Sequence, residues 1–351
     1  MTMVARPEPL AELELLEAAR AGDESAFRQI VEEHRAELHA HCYRMLGSVH
    51  DADDALQDTF LRAWRALSGF DGRSSLRTWL YRIATNVCID ALARRKKRSL
   101  PSELGAPTTE IGEGAVGDPL VESVWLEPYP DEEIGVADGY AAPDARYEQR
   151  EAVELAFIAA LQHLSATQRA VLVLREVLGY SAREVSESLE TSVASVNSTL
   201  QRARKAVDQR LPERSQQSTL RSLDDARTRK LVETYIDAWA SGDPKAVAAL
   251  LAQDAIFSMP PWPAWWQGRE TIAGFAEAAH EFCAESHAIP VRANGQLAIA
   301  YYHLNAETGR YVATALDVLT IDGSLIKEIT AFVNPELFPA FGLPAELSDD
   351  A

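Results

Sequence analysis

Cysteine is scarce in this chain: Cys42, Cys88 and Cys283 are the three in 351 residues, and none forms a C-x-x-C pair. That spacing excludes a disulfide-stapled scaffold and a structural zinc site, and it fits a reducing compartment. Long apolar runs are missing too. No stretch approaches the ~18 residues a membrane helix requires. The opening MTMVARPEPLAELELLEAAR has no apolar core followed by a small-residue cleavage site. The expectation is a cytoplasmic protein with no membrane partner. Positive charge is in deficit, with 34 Lys and Arg against 53 Asp and Glu, a formal net charge of -19. Such an excess argues against a protein that coats nucleic acid nonspecifically. Screening over ~8 Å at physiological salt still permits local DNA contacts, so the distribution of charge matters more than its sum.

Four segments carry that distribution. The first, 13–98, is helical by pattern. In DADDALQDTFLRAWRAL, Ala55, Leu56, Phe60, Ala63, Trp64 and Leu67 recur at three- and four-residue spacing, while Asp51, Asp53, Asp54 and Asp58 crowd its start. A second helix, SLRTWLYRIATNVCIDALARRKK, ends in five basic residues, Arg94 to Arg98. The second segment, 99–148, is a linker of extended character: residues 101–145 hold eleven acidic side chains and no Lys or Arg. Within it Val124, Trp125, Leu126 and Tyr129 could anchor the island VESVWLEPYP in a groove of this protein or of a partner. The third segment, 149–212, is helical again, with Ser165 a suitable N-cap and Gly179 a suitable stop. The fourth, 224–345, begins with helical patterns that include PKAVAALLAQD and then drops to a period of two, with turns at Asn294-Gly295, Thr308-Gly309 and Asp322-Gly323. Helices followed by an antiparallel sheet make it an α+β domain.

The stretch SAREVSESLETSVASVNSTLQRARK reads as two short helices split by a polar turn. Ala182, Val185 and Leu189 share one face of the first; Val196, Leu200, Ala203 and Val207 share one face of the second. Ser195, Asn197, Ser198, Thr199 and Arg202 are left outside, with Ser192 at the turn and Arg204 and Lys205 toward the far end. Small polar side chains let a helix approach the major-groove floor, where Asn, Ser or Thr bond to base edges and basic neighbours pair with phosphate. A helix-turn-helix and an ordinary helical hairpin with a polar outside both fit this spacing.

With both helical segments in view, the chain resembles a bacterial RNA polymerase sigma factor of the extracytoplasmic-function (ECF) class, in the sigma-70 superfamily. The residues from FRQIVEEHRAELHAHCYRMLGSVHDADDALQDTF through WLYRIATNVCIDALARRKKR look like region 2, and LQHLSATQRAVLVLREVLGYSAREVSESLETSVASVNSTLQRARKAV looks like region 4. The resemblance implies a multidomain fold: two all-α domains, a region 2 helical bundle and a region 4 helix-turn-helix. It implies core RNA polymerase and promoter DNA as partners. Asp51, Asp53, Asp54, Gln57 and Asp58 then fall where the family docks on polymerase. Phe70, Arg73, Arg77, Tyr81, Arg82, Asn86, Asp90, Arg94 and Arg95 fall where it engages the −10 element. Trp79 also lies there, but on the apolar seam, which favours a core role. The helix-turn-helix residues named above, Ser192 to Lys205, fall where the family reads the −35 element. Relatives often carry basic residues where this chain has Asn197 and Thr199, which weakens the electrostatic share of −35 binding.

The last segment resembles a SnoaL-like domain of the NTF2-like superfamily, an α+β cone, as some actinobacterial sigma factors carry. Trp262, Trp265, Trp266, Tyr301, Tyr302 and His303 are its pocket candidates, with Asp254, Asp317, His280 and His287 as further ionisable groups. No spacing forces a catalytic geometry, so the expectation is a regulatory domain, no enzyme activity and no cofactor or metal. It would act through a small-molecule ligand or through contact with the sigma domains. Two other readings remain: a ligand-responsive DNA-binding regulator, and a SnoaL-like isomerase or cyclase with a helical appendage.

Overall fold

The structure, a computed structural model, describes residues 9–112, 114–120, 125–134, 151–280 and 285–347. Val124, one anchor of the acidic island, lies outside them, as does Cys283. The chain forms two compact units. The first is drawn from the described parts of Met1–Arg95, Glu133–Arg146 and Leu164–Lys205. It opens with α1 (Pro9–Arg20), α2 (Glu24–Glu32), α3 (Arg35–Leu46), α4 (Val49–Ala66) and α5 (Leu76–Leu92). Short polar residues start these helices: Ser48 Oγ accepts from Asp51 N at 3.1 Å and Ser75 Oγ from Thr78 N at 3.1 Å. Leu38, Met45, Leu56, Ala63, Leu80 and Ala84 fill the bundle core. The basic run does not belong to α5, which ends at Leu92.

After α6 (Leu155–Gln162), which belongs to the second unit, the chain returns to the first with α7 (Ala166–Leu172), extended by a π-turn over Val173–Val177. Ser165 and Gln168 form a reciprocal capping box at its start, and Gly179 takes a left-handed φ of 70° just past its end. Next come α8 (Ala182–Ser188), capped by Ser181 and Glu184, and α9 (Val193–Asp208). Val196, Leu200, Ala203 and Val207 are all buried, as the spacing requires.

The second unit comprises the described parts of Lys96–Glu132, Tyr147–His163 and Ala206–Ala351. Here α10 (Gln216–Ser222), α11 (Asp225–Ser241), α12 (Pro244–Leu250) and α13 (Arg269–Ala278) accompany one sheet. Its strands are β1 (Leu251–Ser258), β2 (Trp265–Gln267), β3 (Ser286–Ala293), β4 (Gln296–Asn305), β5 (Arg310–Asp322), β6 (Leu325–Phe332) and β7 (Glu346–Leu347). The order is β2-β1-β6-β5-β4-β3, with β1 parallel to β6, β7 beside β5 and the rest antiparallel. Val232, Tyr235, Trp239, Val247 and Ile272 from the helices join Ile299, Leu319 and Ile329 from the sheet in one core. The helix expected over PKAVAALLAQD stops at Leu250, because the residues beyond it pair with β6.

The acidic linker has little regular structure and is nonetheless docked. Trp125, Leu126 and Tyr129 are buried in this unit. Arg98, the last of the basic run, is also buried and bonds the carbonyl of Trp125. Thr108 N donates to Trp265 O at 2.8 Å and Leu120 N to Pro261 O at 2.8 Å. The terminal NPELFPAFG piece closes its own domain, with Phe338 edge-on to Tyr302 at 5.1 Å.

Candidate polymerase and nucleic-acid interface

On α4, Asp54, Gln57, Asp58 and Leu61 fall at i, i+3, i+4 and i+7, so they line one exposed stripe. Leu61 is an exposed large apolar residue. Beside it a groove of about 520 Å³ runs between α2 and α4, with Phe27, Val31, Phe60 and Trp64 in its walls. Carboxylates around an apolar groove suit a partner that offers both cations and aliphatic groups. Asp53 is exposed and lies 3.3 Å from His39, whose other ring nitrogen is 3.1 Å from Glu133. Asp51 differs from the other four: it is buried and paired with Arg95.

The −10 candidates divide between surface and interior. Phe70 is buried, packed on Trp79 with ring centroids 5.1 Å apart and with the Arg20 guanidinium 5.7 Å over its face. Trp79 is half-buried. Arg73 is exposed and pairs with Asp71. Arg77 is half-buried, bonds Glu37 at 2.7–3.1 Å and lies 4.8 Å over the Tyr81 ring. Burial alone would raise the Glu37 carboxyl, but hydrogen bonds from His34 and Arg77 outweigh it and hold the group below its ordinary value. Tyr81 is fully buried, and that burial drives its hydroxyl well above the ordinary range. Arg82, Asn86, Asp90 and Arg94 are exposed; Arg82 pairs with Glu190 at 2.8 Å and Asp90 with Arg62 at 2.9 Å.

The −35 candidates are brought together on α9. Ser192 Oγ accepts from Ser195 N at 3.1 Å and starts the helix. Ser195, Asn197, Ser198, Arg202 and Lys205 are exposed. Thr199 is buried, and its hydroxyl accepts from Arg202 at 3.2 Å. Arg204 turns the other way, bonding the buried carboxylate of Glu176 at 2.6 and 3.1 Å.

The pocket candidates of the second unit fall in separate surroundings. Trp265 and Trp266 are buried and donate to linker carbonyls, Gly105 O at 3.0 Å and Glu110 O at 2.9 Å. Trp262 is half-buried. Tyr301 faces the domain core, whereas Tyr302, past a bulge, donates to Pro344 O at 2.9 Å. His303 is half-buried, and desolvation lowers its ionisation. Asp317 is buried and accepts from the Tyr235 hydroxyl at 2.7 Å; burial pushes its carboxyl up to about 7. Sequence reasoning missed the residues that grip the linker. Asn294 Oδ1 accepts from Tyr129 N at 2.8 Å, and Asn294 Nδ2 donates to Val153 O at 2.6 Å. Gly295 N donates to Asp131 at 2.6 Å, and Gln296 Oε1 accepts from Leu155 N at 3.0 Å. The Asn-Gly dipeptide announced a two-residue turn but gave no sign of what its side chain holds.

Comparison with known proteins completes the picture. The sigma-70 region 2 family matches residues 30–98, the sigma-70 region 4 family 148–207 and the SnoaL-like domain family 232–329. The ECF RNA polymerase sigma factor SigG of Mycobacterium tuberculosis (strain H37Rv) is 42% identical over 333 residues, covering 93% of this chain and 86% of that protein. The ECF RNA polymerase sigma factor SigW of Bacillus subtilis is 32% identical over 200 residues, 56% of this chain and 94% of its own. Among solved structures, the crystal structure of the M. tuberculosis extracytoplasmic function sigma factor SigJ superimposes with a TM-score of 0.55 at 20% identity, over 89% of this chain and 97% of that one, a likeness of fold. With so close a relative running through nearly the whole chain, the protein belongs to the ECF RNA polymerase sigma factors, as a member with a SnoaL-like domain at its C-terminal end.

Proposed function

We propose that the chain binds core RNA polymerase through the carboxylate stripe and groove of α4, and directs initiation by reading a −10 element with the α5 region and a −35 element with α9. The observation that carries this reading is the likeness to an ECF sigma factor over 93% of the chain, with both sigma regions present in order. The exposed polar and basic face of α9 supports it, because Asn197, Ser198 and Arg202 suit base edges and phosphates. Mixing the purified chain with core polymerase and a pool of promoter fragments tests it. The free chain should retain little duplex DNA, and its complex with polymerase should retain a subset. Tight, polymerase-independent binding to a palindromic site would favour a classical regulator instead.

The second unit regulates that activity by holding the linker. Asn294 bonds both the linker at Tyr129 and the chain at Val153, just before α6, so one turn fixes the linker and the start of the region 4 segment. Asn294 has a φ of 57°, which glycine adopts readily. Asn294→Gly therefore removes the amide without straining the turn. Promoter output of this variant with core polymerase should differ from wild type at equal protein concentration; identical output would count against regulation through this contact.

A further inference from the structure

The inner side of α9 is taken by Val196, Leu200, Ala203 and Val207, all buried. Away from that side Asn197 and Gln201, the two carboxamides of the helix, are exposed one turn apart, at i and i+4. Ala194 and Ser198 stand exposed beside them, and side chains this short let a helix approach the floor of a groove. Guanidinium groups are otherwise engaged on this helix: Arg204 bonds the Glu176 carboxylate, and Arg202 bonds the Thr199 hydroxyl. A guanidinium matches guanine at O6 and N7. A carboxamide matches adenine, its oxygen accepting from the N6 amino group and its nitrogen donating to N7. Resting on the promoter reading above, we infer that Gln201 is a second base-reading residue beside Asn197, and that the pair selects two adenines in the −35 element. Four residues of helix separate the two side chains by about 6 Å along the axis. The adenines, on either strand, therefore lie about two base pairs apart at ~3.4 Å per step. Neither amide carries charge, so the pair acts on which sequence is bound, while the salt dependence of binding comes from the basic residues.

Selection of promoter fragments with a randomised −35 element, by the complex of the full chain with core polymerase, tests this inference. The wild-type complex should enrich adenine at two positions about two base pairs apart. Gln201→Ala should erase the preference at one of them and Asn197→Ala at the other. Gln201→Glu should change its position from adenine to cytosine, because a carboxylate only accepts and the N4 amino group of cytosine donates. A merely structural role would weaken every sequence alike. Independently, 7-deazaadenine at the Gln201 position, where a C–H replaces N7, should lower wild-type binding about fivefold, the loss of one hydrogen bond. The Gln201→Ala complex should not distinguish that fragment from the unmodified one. Both carboxamides are exposed, so urea unfolding of the variants should match wild type. The same base preferences in wild type and Gln201→Glu, or indifference of the wild-type complex to the missing N7, would overturn the inference. A wild-type complex that enriches no upstream element would instead overturn the promoter reading, and the assignment of Gln201 with it.

Discussion

Arg204 and Lys205 are neighbours in one basic cluster, yet the fold gives them different work. Arg204 neutralises a buried carboxylate, Glu176, from another helix, whereas Lys205 is exposed. Arg204→Ala should therefore cost stability, about 1–3 kcal/mol in urea unfolding, by leaving Glu176 without its charged partner. Lys205→Ala should leave stability unchanged and lower −35 affinity, flattening the salt dependence by about one phosphate contact. The periodicity of α9 correctly sent Val196 and Leu200 inward, but it could not distinguish Arg204 from Lys205. The deciding partner lies 28 residues earlier in the chain. Asp317 is a second case. Its folded-state value near 7 stands above the unfolded value of 3.8, so the stability it permits is complete below about pH 4 and is lost as pH rises toward 7. Asp317→Asn, which can still accept from Tyr235, should match wild type near pH 4 and exceed it in thermal stability at pH 8. Equal stability of the two proteins at pH 8 would contradict this account of the buried carboxyl.

At the scale of elements, α4 shows what a sequence makes plain. Its apolar spacing and its acidic face are local and legible in the residues alone, and the Ser48 cap, equally local, fixes its start. Asp54→Lys with Asp58→Lys should leave the helix intact, since both side chains are exposed, and should weaken core-polymerase binding at least tenfold in a pull-down titration, most strongly at low salt. Strand β1 shows the opposite. Its Leu-Ala-Gln-Asp start continues an alanine-rich helical pattern, and pairing with β6, some seventy residues later, and with β2 makes it a strand. The linker was legible as irregular but not as docked. It is held by scattered hydrogen bonds with Trp265, Trp266 and Asn294 and by a few buried rings, an arrangement without a period. Nor did the residues reveal that Trp265 and Trp266 spend their indole N–H groups on the linker's own carbonyls.

At the scale of the whole molecule, the excess of negative charge and the local positive charge are reconciled by where each sits. Carboxylates line α4, while Arg202 and Lys205 stand on α9 and the basic run after α5 is divided. Arg95 pairs with Asp51 in the first unit, and Arg98 is buried in the second. The order of region 2, linker, region 4 and cone domain was legible because each segment has its own composition and period. The roles of individual residues were less so, since Asp51, Phe70, Tyr81 and Arg204 are engaged by partners remote in sequence. Mapping of transcript start sites from core polymerase reconstituted with this chain, on a library of genomic fragments, tests the central claim most directly. Starts should cluster downstream of two short recurring sequence elements, and Asn197→Ala with Arg202→Ala should disperse them by erasing the preference at the upstream element. Start sites that are identical with and without the chain would contradict the account.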